Sequence, residues 1–146
     1  MLAGCPGING KWEKFDPMKA ILFVALGGMI GAVLRYLGSL GAIRLLGDGF
    51  AYGTLVVNVI GCLGIGFLAG WGFTTWTENE HVRLFVVTGL LGSLTTFSTF
   101  GWETVQFLQE GRWQLALANV ALNLAVGLIA VSGGFGVGHS IMGKAV

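Results

Sequence analysis

The chain has 146 residues, 54% of them apolar and 10% charged, against about 25% charged in ordinary globular domains. Eight Lys/Arg against seven Asp/Glu leave a net charge of +1, which excludes a basic nucleic-acid surface and an acidic tail. What remains is a small all-α integral membrane protein, with 26 glycines for close helix approach.

Residues 1–17 differ in character from the rest and are expected to form a flexible extension, with Met18 close enough to the first apolar run to serve as a start. Residues 18–146 then make one transmembrane domain. A bilayer core of about 30 Å takes roughly 20 apolar residues per helix, and four segments reach that length. The first, residues 20–41, carries one charge, Arg35, which reads as a snorkelling cation or a buried one. The second, residues 52–75, lies in the uncharged stretch between Asp48 and Glu78 and holds Asn58. The third, residues 84–108, carries only Glu103, near its end. The fourth, residues 115–137, has no charge but places Asn119 and Asn123 four apart on one helix face. Trp76, Trp102 and Trp113 stand near span ends, where aromatic belts form.

The densest polar cluster falls at the middle of the third span: Gly92-Ser93-Leu94-Thr95-Thr96-Phe97-Ser98-Thr99-Phe100. Two readings stand side by side. Either the helix is broken mid-membrane, with irregular backbone buried or lining a cavity, or it continues and its hydroxyls bond back to their own carbonyls. The intramembrane amides of Asn58, Asn119 and Asn123 read as interhelical glue, worth about 0.6 kcal/mol each, or as N–H donors to a passing anion. Phe97 and Phe100 share a helix face; such pairs usually pack, but a ring edge carries partial positive charge and can face an anion. Gly27-x-x-x-Gly31, Gly66-x-x-x-Gly70 and Gly134-x-x-x-Gly138 predict tight helix pairs. No Ser/His/Asp set, His-Glu-x-x-His or phosphate loop is present, so the chain does not read as an enzyme.

Four spans put both termini on one side, with Lys11, Lys14, Lys19, Arg83 and Lys144 there and Arg44 and Arg112 on the other. Counted from Met18, the tally is three against two. So weak a Lys/Arg bias permits both orientations, and two inverted copies could pair as an antiparallel dimer.

Four ordered blocks carry a family resemblance: Gly27-Gly28-x-x-Gly31-Ala32-x-x-Arg35-Tyr36, Gly53-Thr54-Leu55-x-x-Asn58-x-x-Gly61, Gly92-x-x-Thr95-Thr96-Phe97-Ser98-Thr99-Phe100-x-x-Glu103, and Asn119 to Gly127. Together they resemble the fluoride-specific ion channel family, Fluc or CrcB. The resemblance implies an antiparallel dual-topology homodimer with two pores in a prokaryotic-type inner membrane. Its partners would be the fluoride ion, membrane lipid and a second copy of the chain, with no nucleic acid. By position, Phe97 and Phe100 would present ring edges to fluoride, and Asn58 would line the same pore. Thr96, Ser98 and Thr99 would contribute polar wall or stabilise a break in the helix, Asn123 would stand on the polar track of the anion pathway, and Arg35 and Glu103 would stand near vestibules. The backbone carbonyls of Gly92 and Thr95 would hold a structural Na⁺. Leu63 and Asn123 depart from the family pattern, where many members carry Phe and Ser. The implied function is passive fluoride exit; the competing readings are a proton-coupled transporter and a non-conducting membrane scaffold.

Overall fold

The computed structural model describes residues 16–72 and 80–142. It is all-helical: α1 (Pro17–Leu46), α2 (Tyr52–Gly70), α3 (Glu80–Arg83), a π-helical stretch (Leu84–Leu91), α4 (Gly92–Leu94), α5 (Phe97–Gln109) and α6 (Trp113–Met142). Four helical runs are long and apolar enough to cross a membrane, the third running from Glu80 to Gln109. The chain is a multi-pass membrane protein.

The observed helices overrun most of the expected spans, because hydropathy marks the bilayer core while capping decides where a helix ends. The Asp16 carboxylate accepts from the N–H groups of Met18 (3.1 Å) and Lys19 (3.4 Å), with Pro17 in the first turn. Asp16 and Pro17 thus start α1 rather than belonging to an extension; residues 1–15 lie outside the described residues. At the other end Gly47, at φ 87°, donates its N–H to the Ile43 carbonyl, a left-handed stop suited to glycine. The 30 residues between span about 45 Å, well beyond the hydrocarbon core. The second span ends earlier than expected, at Gly70; residues 73–75 and Trp76 lie outside the described residues.

Glycine decides which helices touch. A Cβ on Gly66 or Gly70 would collide with the Val131 or Phe135 carbonyl of α6, and one on Gly134 or Gly138 with the Leu63 or Phe67 carbonyl of α2. The two stripes face each other, so α2 and α6 pack backbone against backbone. Likewise Gly27 and Gly31 of α1 admit the Phe85 and Leu90 carbonyls of the π-helical stretch. All three small-residue motifs in the sequence lie at these contacts. In a membrane such packing replaces the hydrophobic drive that lipid cannot supply.

The buried residues are mainly small or polar, and the large apolar side chains point outward: Met18, Met29, Leu128 and Ile129 are each more than 60% exposed. That inversion suits a hydrocarbon solvent. Trp102 and Trp113 are also exposed, as interfacial residues would be.

Candidate functional site

Between α4 and α5 the backbone leaves the helix. Thr95 (φ −81°, ψ 154°) and Thr96 (φ −148°, ψ 115°) are extended. The Thr95 hydroxyl donates to the Leu91 carbonyl (3.0 Å), the back-bonding considered from the sequence. Thr96 caps α5: its Oγ accepts from the Thr99 N–H (3.2 Å), and its hydroxyl donates to Thr99 Oγ1 (2.9 Å). Extended backbone inside a membrane protein needs new partners, and α2 supplies them. Asn58 Oδ1 accepts the Thr96 N–H (2.9 Å), and Asn58 Nδ2 donates to the Thr96 carbonyl (3.3 Å). The amide side chain pairs with both backbone groups of one residue, Thr96, as a neighbouring strand would.

The same Asn58 Nδ2 donates to Asn123 Oδ1 (3.0 Å). Asn123 Nδ2 donates to both the carbonyl and the Oδ1 of Asn119, 3.0 Å each. Asn119, with no exposed surface, donates to Thr104 Oγ1 (2.9 Å) and the Phe100 carbonyl (3.5 Å). The Thr104 hydroxyl donates to that same carbonyl (2.8 Å). Each side-chain amide has two N–H donors, so all those of the three asparagines are committed. Through these bonds the amides link α2, α5 and α6.

Two cavities flank this polar bar. The first, about 440 Å³, is lined by Asn58, Gly92, Thr95, Thr96, Phe97, Phe100 and Asn123 among others, and Cys62 reaches it from α2. The Phe97 and Phe100 ring centroids are 5.4 Å apart at 57°, and Phe97 is 82% exposed. The second cavity, about 360 Å³, opens beside the α1–α2 loop and is lined by Thr54, Thr99 and four charged residues: Asp48, Glu103, Glu110 and Arg112. There the Thr54 hydroxyl donates to Glu103 Oε1 (2.8 Å), while Glu103 Oε2 is buried without a hydrogen-bond partner.

Most residues singled out from the sequence therefore meet at these cavities: Asn58, Thr96, Phe97, Phe100 and Asn123 at the first, with Gly92 and Thr95, and Thr99 and Glu103 at the second. Ser98 is exposed, its Oγ 3.3 Å from Thr96 Oγ1. Arg35 lines neither cavity and is half-buried. Leu63 also lines neither and is 51% exposed, so its departure from the family pattern falls on an outward face. Sequence reasoning missed Thr54, Thr104 and the lining role of Arg112. For Thr54 a signal existed, since it lies one turn before Asn58 on the same face.

A family model described as "CrcB-like protein, Camphor Resistance (CrcB)" matches residues 22–135. Three similar curated relatives each carry the name fluoride-specific ion channel FluC. The protein of Chloroflexus aurantiacus is 48% identical over 122 residues, covering 84% of this chain and 97% of the relative. Those of Dehalococcoides mccartyi and Shewanella loihica are 45% and 47% identical over 115 and 114 residues, each covering 78% of this chain and 88% and 91% of the relative. The matched region takes in most of each of the four spans and the whole Thr95–Phe100 segment, and the chain belongs to the CrcB-like family.

Proposed function

We propose that this protein is a passive, fluoride-selective channel through which fluoride leaves the cytoplasm across a prokaryotic inner membrane. The observation that carries the reading is the pairing of Phe97 and Phe100 at an apolar cavity beside a polar bar whose amide donors are all committed. Fluoride is small and strongly hydrated, and moving an ion into a low-dielectric site is very costly without compensation. Conduction needs contacts good enough to admit the ion and weak enough to release it. Ring edges and hydroxyls meet that demand, and among the described residues the first cavity has no lysine or arginine in its wall to trap an anion.

The working unit is an antiparallel dual-topology homodimer whose third span is interrupted at mid-membrane. An 82% exposed Phe97 beside a polar segment suits burial against a second copy better than contact with lipid, and the nearly even charge tally suits insertion in both orientations. The carbonyls of Gly92 and Thr95 fit a structural Na⁺. In a continuous helix they would accept from Thr96 and Thr99, but those N–H groups go to Asn58 Oδ1 and Thr96 Oγ1. Carbonyls released in this way are suitable ligands for a hard cation.

One observation favours the proton-coupled alternative: the buried, unpartnered Oε2 of Glu103 suits a carboxyl that carries a proton. Fluoride efflux from liposomes separates the readings. A channel needs only a voltage shunt, and its efflux persists when the proton gradient is collapsed; a coupled transporter stops. Retention of both fluoride and chloride would leave only a scaffold. Crosslinks between loops on opposite membrane faces test the antiparallel arrangement, which uniformly parallel crosslinks would contradict.

A further inference from the structure

The second cavity poses a problem for an anion route, since among the described residues its wall holds three carboxylates, Asp48, Glu103 and Glu110, and a single cation, Arg112. The Arg112 guanidinium donates through Nη2 to the Gly49 carbonyl (3.0 Å) and through Nη1 to Glu110 Oε2 (3.1 Å), and it lies 5.2 Å from the centroid of the Phe107 ring. Two of its five N–H donors are engaged by these bonds, which leaves three.

The grip on Glu110 is weak. Both side chains are about half exposed, at 45% and 53%, and exposed ion pairs contribute little. The Gly49 carbonyl and the Phe107 face hold the guanidinium in place independently of that pair. An incoming anion can therefore displace the Glu110 carboxylate without releasing Arg112 from the cavity wall. Thr99 lines the same cavity, and its Oγ1 is bonded to Thr96 at the polar bar.

We infer that Arg112 is an anion-capture residue: it binds a small hydrated monovalent anion at the mouth of the second cavity, in exchange for Glu110, and passes it toward Thr99. This inference deepens the channel reading and rests on it. Its signature is electrostatic. A capture charge acts over a Debye length of about 30 Å at 10 mM salt and about 3 Å at 1 M, and steering of this kind changes association rates tenfold or more.

The test is initial fluoride efflux from neutral phosphatidylcholine liposomes holding the purified full chain, at 10 mM and 1 M of an impermeant salt. Arg112→Gln lowers the rate roughly threefold to tenfold at 10 mM and by less than about twofold at 1 M. Arg112→Lys, which keeps the charge, retains most of the low-salt rate. Glu110→Gln, a change at an exposed position, raises the low-salt rate and decides the matter if Arg112→Gln does not reconstitute. The inference is overturned by an unchanged rate in Arg112→Gln at 10 mM, by an equal loss at both salt concentrations, or by no gain in Glu110→Gln. Equal impairment of the Lys and Gln variants overturns it too, since that marks a loop clamp without electrostatic action. A parent protein that conducts no fluoride overturns the channel reading itself, a separate outcome.

Discussion

Replacing Asn58 with leucine tests whether the polar bar holds the extended segment in place. The substitution preserves the approximate shape and removes three hydrogen bonds at once: from the Thr96 N–H (2.9 Å), to the Thr96 carbonyl (3.3 Å) and to Asn123 Oδ1 (3.0 Å). Interhelical hydrogen bonds in membrane proteins average about 0.6 kcal/mol, so the three together set a floor near 2 kcal/mol. The ceiling comes from the orphaned Thr96 N–H and carbonyl, at about 1–3 kcal/mol each when buried without partners. The expected loss is therefore about 2–6 kcal/mol, read from reversible unfolding in mixed micelles followed by tryptophan fluorescence. Asn123→Leu also removes three bonds, one from Asn58 and two to Asn119, but it leaves both Thr96 backbone groups paired and is expected to cost less. A double-mutant cycle between the two should show coupling, because they share the Asn58–Asn123 bond. A loss below about 1 kcal/mol for Asn58→Leu would refute the view that this side chain replaces a strand partner.

Phe97→Ile or Phe100→Ile is expected to lower fluoride efflux about tenfold, the equivalent of 1.4 kcal/mol, with unfolding little changed; undiminished flux removes the ring-edge role. Gly134→Ala places a methyl against the Leu63 carbonyl and is expected to destabilise the fold by about 1–3 kcal/mol, whereas parent-like unfolding would contradict backbone contact between α2 and α6. The Asp16 carboxyl is held below its ordinary value of 3.8, chiefly by the Lys19 N–H and also by that of Met18. Because the folded-state value is depressed, the cap's contribution is present above that ordinary value and lost as pH falls through the lowered one. The Met18 amide resonance should accordingly titrate with a midpoint below 3.8 and stop titrating in Asp16→Asn; a midpoint at or above 3.8 excludes the cap.

Long apolar runs make four spans readable from the sequence, because a bilayer imposes a length that short-range context does not alter. Their ends are less readable, since Asp16 and Gly47 act through capping geometry that hydropathy ignores. The glycine motifs indicate close approach but not partners: nothing in Gly66-x-x-x-Gly70 says that it meets Gly134-x-x-x-Gly138. The hydroxyl cluster has the same limit. Thr95 bonds back to Leu91 as a helical residue would, and only Asn58, 38 residues away in the chain, makes the extended conformation of Thr96 tenable. The π-helical stretch over Leu84–Leu91 has no sequence mark, because its wider turn answers to packing against α1. Arg112 counted in the sequence only as a loop charge; its position depends on where Gly49, Phe107 and Glu110 converge in space.

The way Thr96 is held has a mechanical consequence. Helical continuity normally transmits position along a span, but at Thr95–Thr96 the backbone is extended, and among the described helices α5 packs on α6 and α2. The Phe97 ring therefore takes its coordinates from the α2–α6 pillar, while the upstream half of the same span is registered chiefly to α1. A change in bilayer thickness or tilt that slides α1 along the pillar would be absorbed at these two threonines. The aromatic pair would stay where the pillar puts it.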